Sequence, residues 1–248
     1  MRAGPPEVPN CIVVGAGLKT ALAGQAVSFV ITCKDLFNNP LSSATVPPGL
    51  DFGLALLLPA AENRNIRDTI QTMPFLGSWV KQGEEGTTNS SESFEISYTA
   101  KEAGDFELHV WCDPDGSGTR VWLTGSPFSV RVSGQSPSHE GSEVGGVEQL
   151  AARAIVAGEE VTLKPQLRDQ YGNASAAEMD KESGKSTFAA YLTLPDGSVE
   201  ALDLRSLKGL GSYEVNRECT MKGTHSMRFL LNGNDIMNSP VDFYVKPD

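Results

Sequence analysis

The chain has 248 residues, enough for two domains of ordinary size, each burying its own core, so size alone demands no disulfide or metal. Its net charge of -11 comes with scattered Lys and Arg, which excludes a basic stripe able to neutralise a phosphate backbone or an anionic membrane. The longest apolar run, Leu54-Ala55-Leu56-Leu57-Leu58, is too short to span a bilayer, and residues 1–10 lack the charged start and apolar core of a secretory signal. A soluble chain is expected, without nucleic acid as a partner and without direct membrane insertion, and the compartment stays open.

Short runs of β-branched and aromatic residues, broken by Gly, Pro, Asn and Asp, predict an all-β chain. In chain order, strands are expected at residues 11–14, 27–33, 52–58, 78–81, 94–99, 105–112 and 128–132, the seven of a constant-type immunoglobulin sandwich. Residues 133–142 have almost nothing to bury and predict a flexible linker, placed at 135–142 between a first domain at 1–134 and a second at 143–248. Further strands are expected at 152–155, 161–167, 187–194, 199–204, 213–218, 225–231 and 241–245. Between two of them, Leu194-Pro195-Asp196-Gly197-Ser198 is a turn in which Pro presets φ and Gly accepts a positive φ. Pro165 breaks the pattern of its strand, because proline removes a ladder hydrogen bond, and predicts a bulge or distortion there.

The two halves repeat each other. Gly24-Gln25-Ala26-Val27-Ser28-Phe29 through Asp35-Leu36-Phe37-Asn38-Asn39 is echoed by Gly158-Glu159-Glu160-Val161-Thr162-Leu163 through Asp169-Gln170-Tyr171-Gly172-Asn173. Ser93-Phe94-Glu95-Ile96 with Gly104 matches Ser212-Tyr213-Glu214-Val215 with Gly223, and Ser126-Pro127-Phe128 matches Ser239-Pro240-Val241. The spacing between matched blocks shortens from 134 to 119 to 113 residues, so the first copy carries insertions, one of them at about 59–75. Repeats that differ by loop insertions imply one fold used twice.

Asn10-Cys11-Ile12-Val13-Val14-Gly15-Ala16-Gly17-Leu18, the strand from Phe29 to Asp35, Ser97-Tyr98-Thr99-Ala100-Lys101-Glu102-Ala103-Gly104 and Gly125-Ser126-Pro127-Phe128-Ser129-Val130 together resemble the filamin repeat. The likeness covers residues 9–132 closely and 144–245 more weakly, since the second copy lacks Gly-x-Gly-Leu and carries Arg217-Glu218-Cys219 in place of the Tyr-Thr segment. Resemblance to this family implies two tandem immunoglobulin-like sandwiches without catalysis or cofactor, serving as spacers and docking surfaces. It implies a partner peptide that adds a strand beside strands C and D, where an open sheet edge offers unpaired N–H and C=O groups. The residues so implicated are Phe52, Leu54, Leu56, Leu58 and Trp79 in the first copy and Thr187, Tyr191 and Thr193 in the second.

Other motifs are weaker. Val14-Gly15-Ala16-Gly17 resembles the start of a dinucleotide fingerprint, but Thr20 stands where the third glycine belongs, and the glycines are read as serving a turn. Gly184-Lys185-Ser186-Thr187 fails as a phosphate loop at Met179. His109, His139 and His225 are dispersed and no cysteine pair has zinc-finger spacing, so neither a metal site nor an enzyme is expected. Asp113, Asp115 and Ser117 have an oxygen spacing that suggests calcium, yet the loop lacks a closing bidentate Glu and reads as a polar hairpin. Trp111 is expected to point outward, either as a docking anchor or packed under the insertion.

Cys33 and Cys112 end strands B and F on the inward face and either bridge the two sheets or remain two buried thiols, while Cys11 and Cys219 have no evident partner. Asn89-Ser90-Ser91 and Asn173-Ala174-Ser175 are glycosylation sequons. The function expected from all this is a non-catalytic spacer and protein-docking segment of a larger cytoskeletal or scaffold protein, cytoplasmic, with self-association through that parent. The alternatives are an extracellular adhesion segment of the gamete type and a substrate-recognition module beside a ubiquitin-ligase domain.

Overall fold

The computed structural model describes residues 4–59, 73–82, 91–176 and 187–248. Its contacts divide the chain into a first unit, Met1–Ser133, and a second, Gly134–Asp248. Asn89 and nearly all of the insertion read at 59–75 lie outside the described residues.

The first unit is built from β1 (Ile12–Val14), β2 (Thr20–Leu22), β3 (Ala26–Thr32), β4 (Asp51–Leu57), β5 (Phe75–Gln82), β6 (Ser91–Thr99), β7 (Gly104–Asp113), β8 (Val121–Trp122) and β9 (Phe128–Ser133). One sheet has the order β1-β3-β6-β5; the other runs β2-β9-β7-β4, with β8 paired to β7. The first strand therefore serves both sheets: β1 pairs antiparallel with β3 and β2 pairs parallel with β9. Gly15-Ala16-Gly17-Leu18 makes that crossing as a single 3-10 turn, Ala16–Leu18. Its glycines permit a close approach to β3, since a β-carbon on Gly15 would meet the Cα of Phe29, and the Gly17 carbonyl accepts a 2.6 Å hydrogen bond from the buried Tyr98 hydroxyl. Phe29, Ile31, Ile96, Leu108 and Val110 close the core between the sheets.

In the second unit the order is β10 (Ser138–Gly145), α1 (Val147–Ala151), β11 (Ile155–Val156), β12 (Glu160–Arg168), β13 (Phe188–Thr193), β14 (Val199–Leu202), β15 (Arg205–Ser206), β16 (Tyr213–Glu218), β17 (Gly223–Leu231), β18 (Asn234–Asp235) and β19 (Val241–Lys246). The sheets are β10-β12-β16-β15 and β11-β19-β17-β13-β14, with β18 paired to β17. Strict alternation governs burial: in β19, Val241, Phe243 and Val245 face inward while Asp242, Tyr244 and Lys246 face water. A separate core forms around Leu163, Leu192, Phe229 and Val245.

Two expectations about this half are corrected. The supposed linker at 135–142 is mostly strand, because β10 pairs with β12 from Ser138↔Arg168 onward. Its polar composition hides this role. Ser142 is fully buried with its hydroxyl donating to Ser138 O and accepting from Arg168 N, so a hydrogen-bonded serine fills an inward position that a hydrophobe would have advertised. The strand expected at 152–155 is instead the turn that links helix α1 to the two-residue β11, which begins at Ile155, and Val147 and Leu150 share one face of α1 that packs on the core.

Pro165 lies within a continuous β12, not at a bulge. The ladder to β16 runs from Glu160↔Glu218 to Leu163↔Val215, lapses at the proline that lacks an N–H, and returns as one bridge at Gln166↔Ser212 in unchanged register. The register shift falls on β10, between Ser138 and Glu143.

The sequence repeat has a structural cause in each copy. Asp35 accepts from Phe37 N, Asn39 N and Asn39 Nδ2, and Asp169 accepts from Tyr171 N, Asn173 N and Asn173 Nδ2, so Asp-x-aromatic-x-Asn is a side-chain-closed turn used twice. Ser126 Oγ accepts Val110 N and Ser239 Oγ accepts Phe229 N, each at 2.9 Å, ahead of a cis Ser-Pro bond in both units.

Candidate docking site

Strands β4 and β5 are the terminal strands of the two sheets on the same side of the first sandwich. β4 pairs with β7 from Asp51↔Asp113 to Leu57↔Glu107, and among the described residues no strand pairs with its other margin. Backbone groups alternate sides along a strand, and Leu54 O accepts Met73 N at 2.9 Å, so the main-chain groups of Phe52, Leu54 and Leu56 face away from β7. Phe52 N is held by the Asp51 carboxylate at 2.8 Å. Among the described residues, Met73 and Asp51 are thus what meets this margin, and the amides of Leu54 and Leu56 point outward along it.

The side chains expected to form the docking surface divide differently from that expectation. Phe52 and Leu54 are core residues, and Leu56 packs partly against the same core. Only Leu58, beyond the end of β4 and 66 % exposed, is open to a partner. Trp79 is half-buried and meets Phe94 edge-on with ring centroids 5.6 Å apart, and Phe94 stacks on Phe52 with centroids 4.5 Å apart. This aromatic stack floors the space between the two terminal strands, each pair contributing roughly 1 kcal/mol beyond area burial. At one end an open pocket of about 380 Å³ is lined by Phe52, Phe75, Trp111, Asp51, Asp113 and Arg120.

Trp111 does lie on the outer face of its sheet, yet it is only 4 % exposed. It covers Gly53, meets Trp122 edge-on at 5.1 Å and carries the Arg120 guanidinium 4.8 Å above its ring. His109 packs against Trp122, its Nε2 3.4 Å from Glu107 Oε2. Trp111 is a packed residue of a small outer cluster with Ala55, Leu57 and Trp122, and is not presented as an anchor.

The second unit differs at the matching margin. β13 is paired on both sides, with β17 and with β14, because the Leu194-Pro195-Asp196-Gly197-Ser198 turn returns the chain into the same sheet. Tyr191 and Thr193 therefore sit in an interior strand, and Thr187 precedes it with its N–H donated to Asn232 Oδ1. These three residues are not on a sheet edge, which corrects their assignment from sequence.

The remaining candidates are placed as follows. Asp113 accepts Gly116 N, Ser117 N and Gly118 N, and Asp115 accepts Ser117 N, so these carboxylates close their own hairpin loop. Among the described residues no group of three or more His, Cys, Asp or Glu side chains is set to hold a metal. Asn173 Nδ2, the atom that a glycan would occupy, donates to Asp169 Oδ2 at 2.9 Å, and Ser175 of the same sequon is buried with its hydroxyl on Gln135 O.

All four cysteines are buried free thiols, so Cys33 and Cys112 are not bridged. Cys33 has another companion in Cys11: one step beyond Ile12↔Thr32 the β1–β3 register sets the two opposite each other, a pairing that the spacing of the cysteines does not display, and the Cys11 thiol donates to Glu7 O at 3.4 Å. Burial pushes the Cys112 thiol up to about 12.

No protein-family model matches the chain. A curated relative is the dynein alpha chain of the flagellar outer arm of Chlamydomonas reinhardtii, 25 % identical over 155 residues, which is 62 % of this chain and 3 % of that protein. This chain thus corresponds to a small fraction of that relative's length. Among solved structures, it is similar to the filamin domain of Lin-41, with a TM-score of 0.35 and 17 % identity over 45 % of this chain and 98 % of that one. The Escherichia coli adhesin FdeC aligns with a TM-score of 0.47 and 18 % identity over 98 % of this chain and 66 % of that one. Invasin, a bacterial integrin-binding protein, gives a TM-score of 0.47 and 13 % identity over 98 % and 41 %. The all-β, tandem immunoglobulin-like class rests on the strand orders of the two units themselves.

Proposed function

We propose that the chain is a non-catalytic docking segment of a larger cytoskeletal or scaffold protein, in which the first unit captures an extended peptide as an added strand along β4. The observation that carries this reading is the contrast between the two units: β13 is enclosed by β14, whereas the outward amides of Leu54 and Leu56 line a sheet margin. The second unit, in which the corresponding strand β13 is interior, then acts as a spacer. Similarity to the dynein alpha chain of a flagellar outer arm supports a cytoskeletal parent.

A random-peptide display library selected against the two-unit chain tests the reading. Selected peptides are expected to lose at least tenfold in affinity on Leu56→Pro, which removes an outward N–H and leaves the β4–β7 ladder its bonds. Circular dichroism and an unchanged unfolding midpoint establish that the variant is folded. Full affinity in a folded Leu56→Pro variant would place the site elsewhere.

A further inference from the structure

We propose that Cys11 and Cys33 are a reversible cross-strand disulfide site, closed by exchange with a low-molecular-weight disulfide, that fastens the first strand of unit 1 to β3. The backbone sets the geometry. β1 and β3 pair as Ile12↔Thr32, Val13↔Ile31 and Val14↔Val30, and one further step of the same register brings Cys11 opposite Cys33. Cys11 has extended dihedrals, φ -72 and ψ 143, so the strand conformation continues through it. Lys34 O accepts Glu7 N, toward the β1 side, and Cys33 O accepts Leu41 N. Alternation then makes Cys11 and Cys33 a non-hydrogen-bonded pair, the closer kind, with Cα atoms about 4.5 Å apart. A disulfide takes Cα separations of roughly 4.4–6.8 Å, so the bridge needs no movement of the backbone.

Directly opposed residues share a face, and both thiols are buried on the inward one. Contact with Cys33 lowers Cys11 below the usual thiol range, while contact with Cys11 and burial raise Cys33; the Cys11 thiol also donates to Glu7 O at 3.4 Å. Cys11 is thereby the attacking sulfur and Cys33 the resolving one. Access comes from β1 itself, a three-residue strand at the sheet edge that opens locally at little cost.

The chemistry balances with glutathione disulfide as co-reactant. Cys11, having given its proton to water, attacks one sulfur, forming a mixed disulfide and releasing one glutathione thiolate, which takes the proton of Cys33. The Cys33 thiolate then displaces the second glutathione, which leaves as a thiolate and takes a proton from water. Two protein thiols become one disulfide, and one small disulfide becomes two thiols.

Cys112 is the competitor, close enough to interact electrostatically with both. The native chain is incubated with glutathione disulfide, alkylated and mapped by mass spectrometry, beside a urea-unfolded control. The expected product links Cys11 to Cys33 and leaves Cys112 and Cys219 alkylated. Cys112→Ser should leave that link intact, and Cys11→Ser should abolish it. Closing a loop of about twenty residues should raise the unfolding midpoint of the first unit by roughly 10 °C. A native link from Cys112 to either other cysteine, or four alkylated cysteines under conditions that oxidise the unfolded control, overturns the proposal.

Discussion

The indole of Trp111 lies over the α-carbon of Gly53, its cross-strand partner, so that a β-carbon on the glycine would come within 2.5 Å of the ring. A glycine in a strand interior weakens it, and here the large neighbour fills the missing side chain's place. The pair decides how β4 can be altered without loss of the fold.

Gly53→Ala is expected to destabilise the first unit by about 1–3 kcal/mol, although alanine usually stabilises a strand relative to glycine. Adding Trp111→Phe should make the cost of Gly53→Ala smaller, an interaction visible in a double-mutant cycle by urea unfolding. A neutral Gly53→Ala would mean that the ring does not press on the strand.

Among the described residues of the second unit, Asp169 is the most enclosed carboxylate. Burial raises its pKa, but hydrogen bonds from the Asn173 side chain and from the N–H groups of Gln135, Asn173 and Tyr171 outweigh burial and leave it lowered. A carboxylate lowered in the folded state contributes stability that is fully present above its unfolded pKa, about 3.9, and is lost as pH falls through the folded value. The second unit should accordingly weaken progressively below about pH 4. Asp169→Asn should flatten that dependence and cost about 2–3 kcal/mol at pH 7. An unaltered pH profile in the variant would assign the acid sensitivity to other carboxylates.

Thiol chemistry should separate the cysteines. Burial raises both Cys112 and Cys219, so each remains protonated at pH 8 and reacts slowly, whereas Cys11, lowered by Cys33, reacts first. Timed alkylation with residue-level mass spectrometry gives the order directly, and equal rates at Cys11 and Cys112 would contradict it.

The two margins should respond differently to proline. Leu194 N donates to Ser198 O, so the next pair, Thr193↔Val199, leaves the Val199 N–H facing away from β13. Val199→Pro is expected to leave peptide capture unchanged, in contrast to the loss on Leu56→Pro. Loss of capture on Val199→Pro would move the docking site to the second unit.

Much of the fold is legible in the residues because alternation writes burial directly: Phe29 and Ile31 in β3, and Val241, Phe243 and Val245 in β19, face the cores as their spacing demands. The Asp-x-aromatic-x-Asn turn is legible for the same reason, since its chemistry is local. Alternation marks a strand but not its neighbours, and therefore nothing in Val199 to Leu202 says that they enclose β13, nor does anything in Met73 say that it reaches Leu54. Ser142 escapes reading because its burial depends on hydrogen bonds to Ser138 and Arg168, made only once the sheet exists. Cys11 and Cys33 are hidden likewise, because their partnership is set by register and not by spacing along the chain.

The docking claim is tested most directly by amide hydrogen exchange of the two-unit chain with and without a selected peptide. Strand addition along β4 predicts that the amides of Leu54 and Leu56 gain protection on binding while those of Tyr191 and Thr193 stay as they were. Protection gained only outside β4, with Leu54 and Leu56 exchanging as in the free chain, would contradict it.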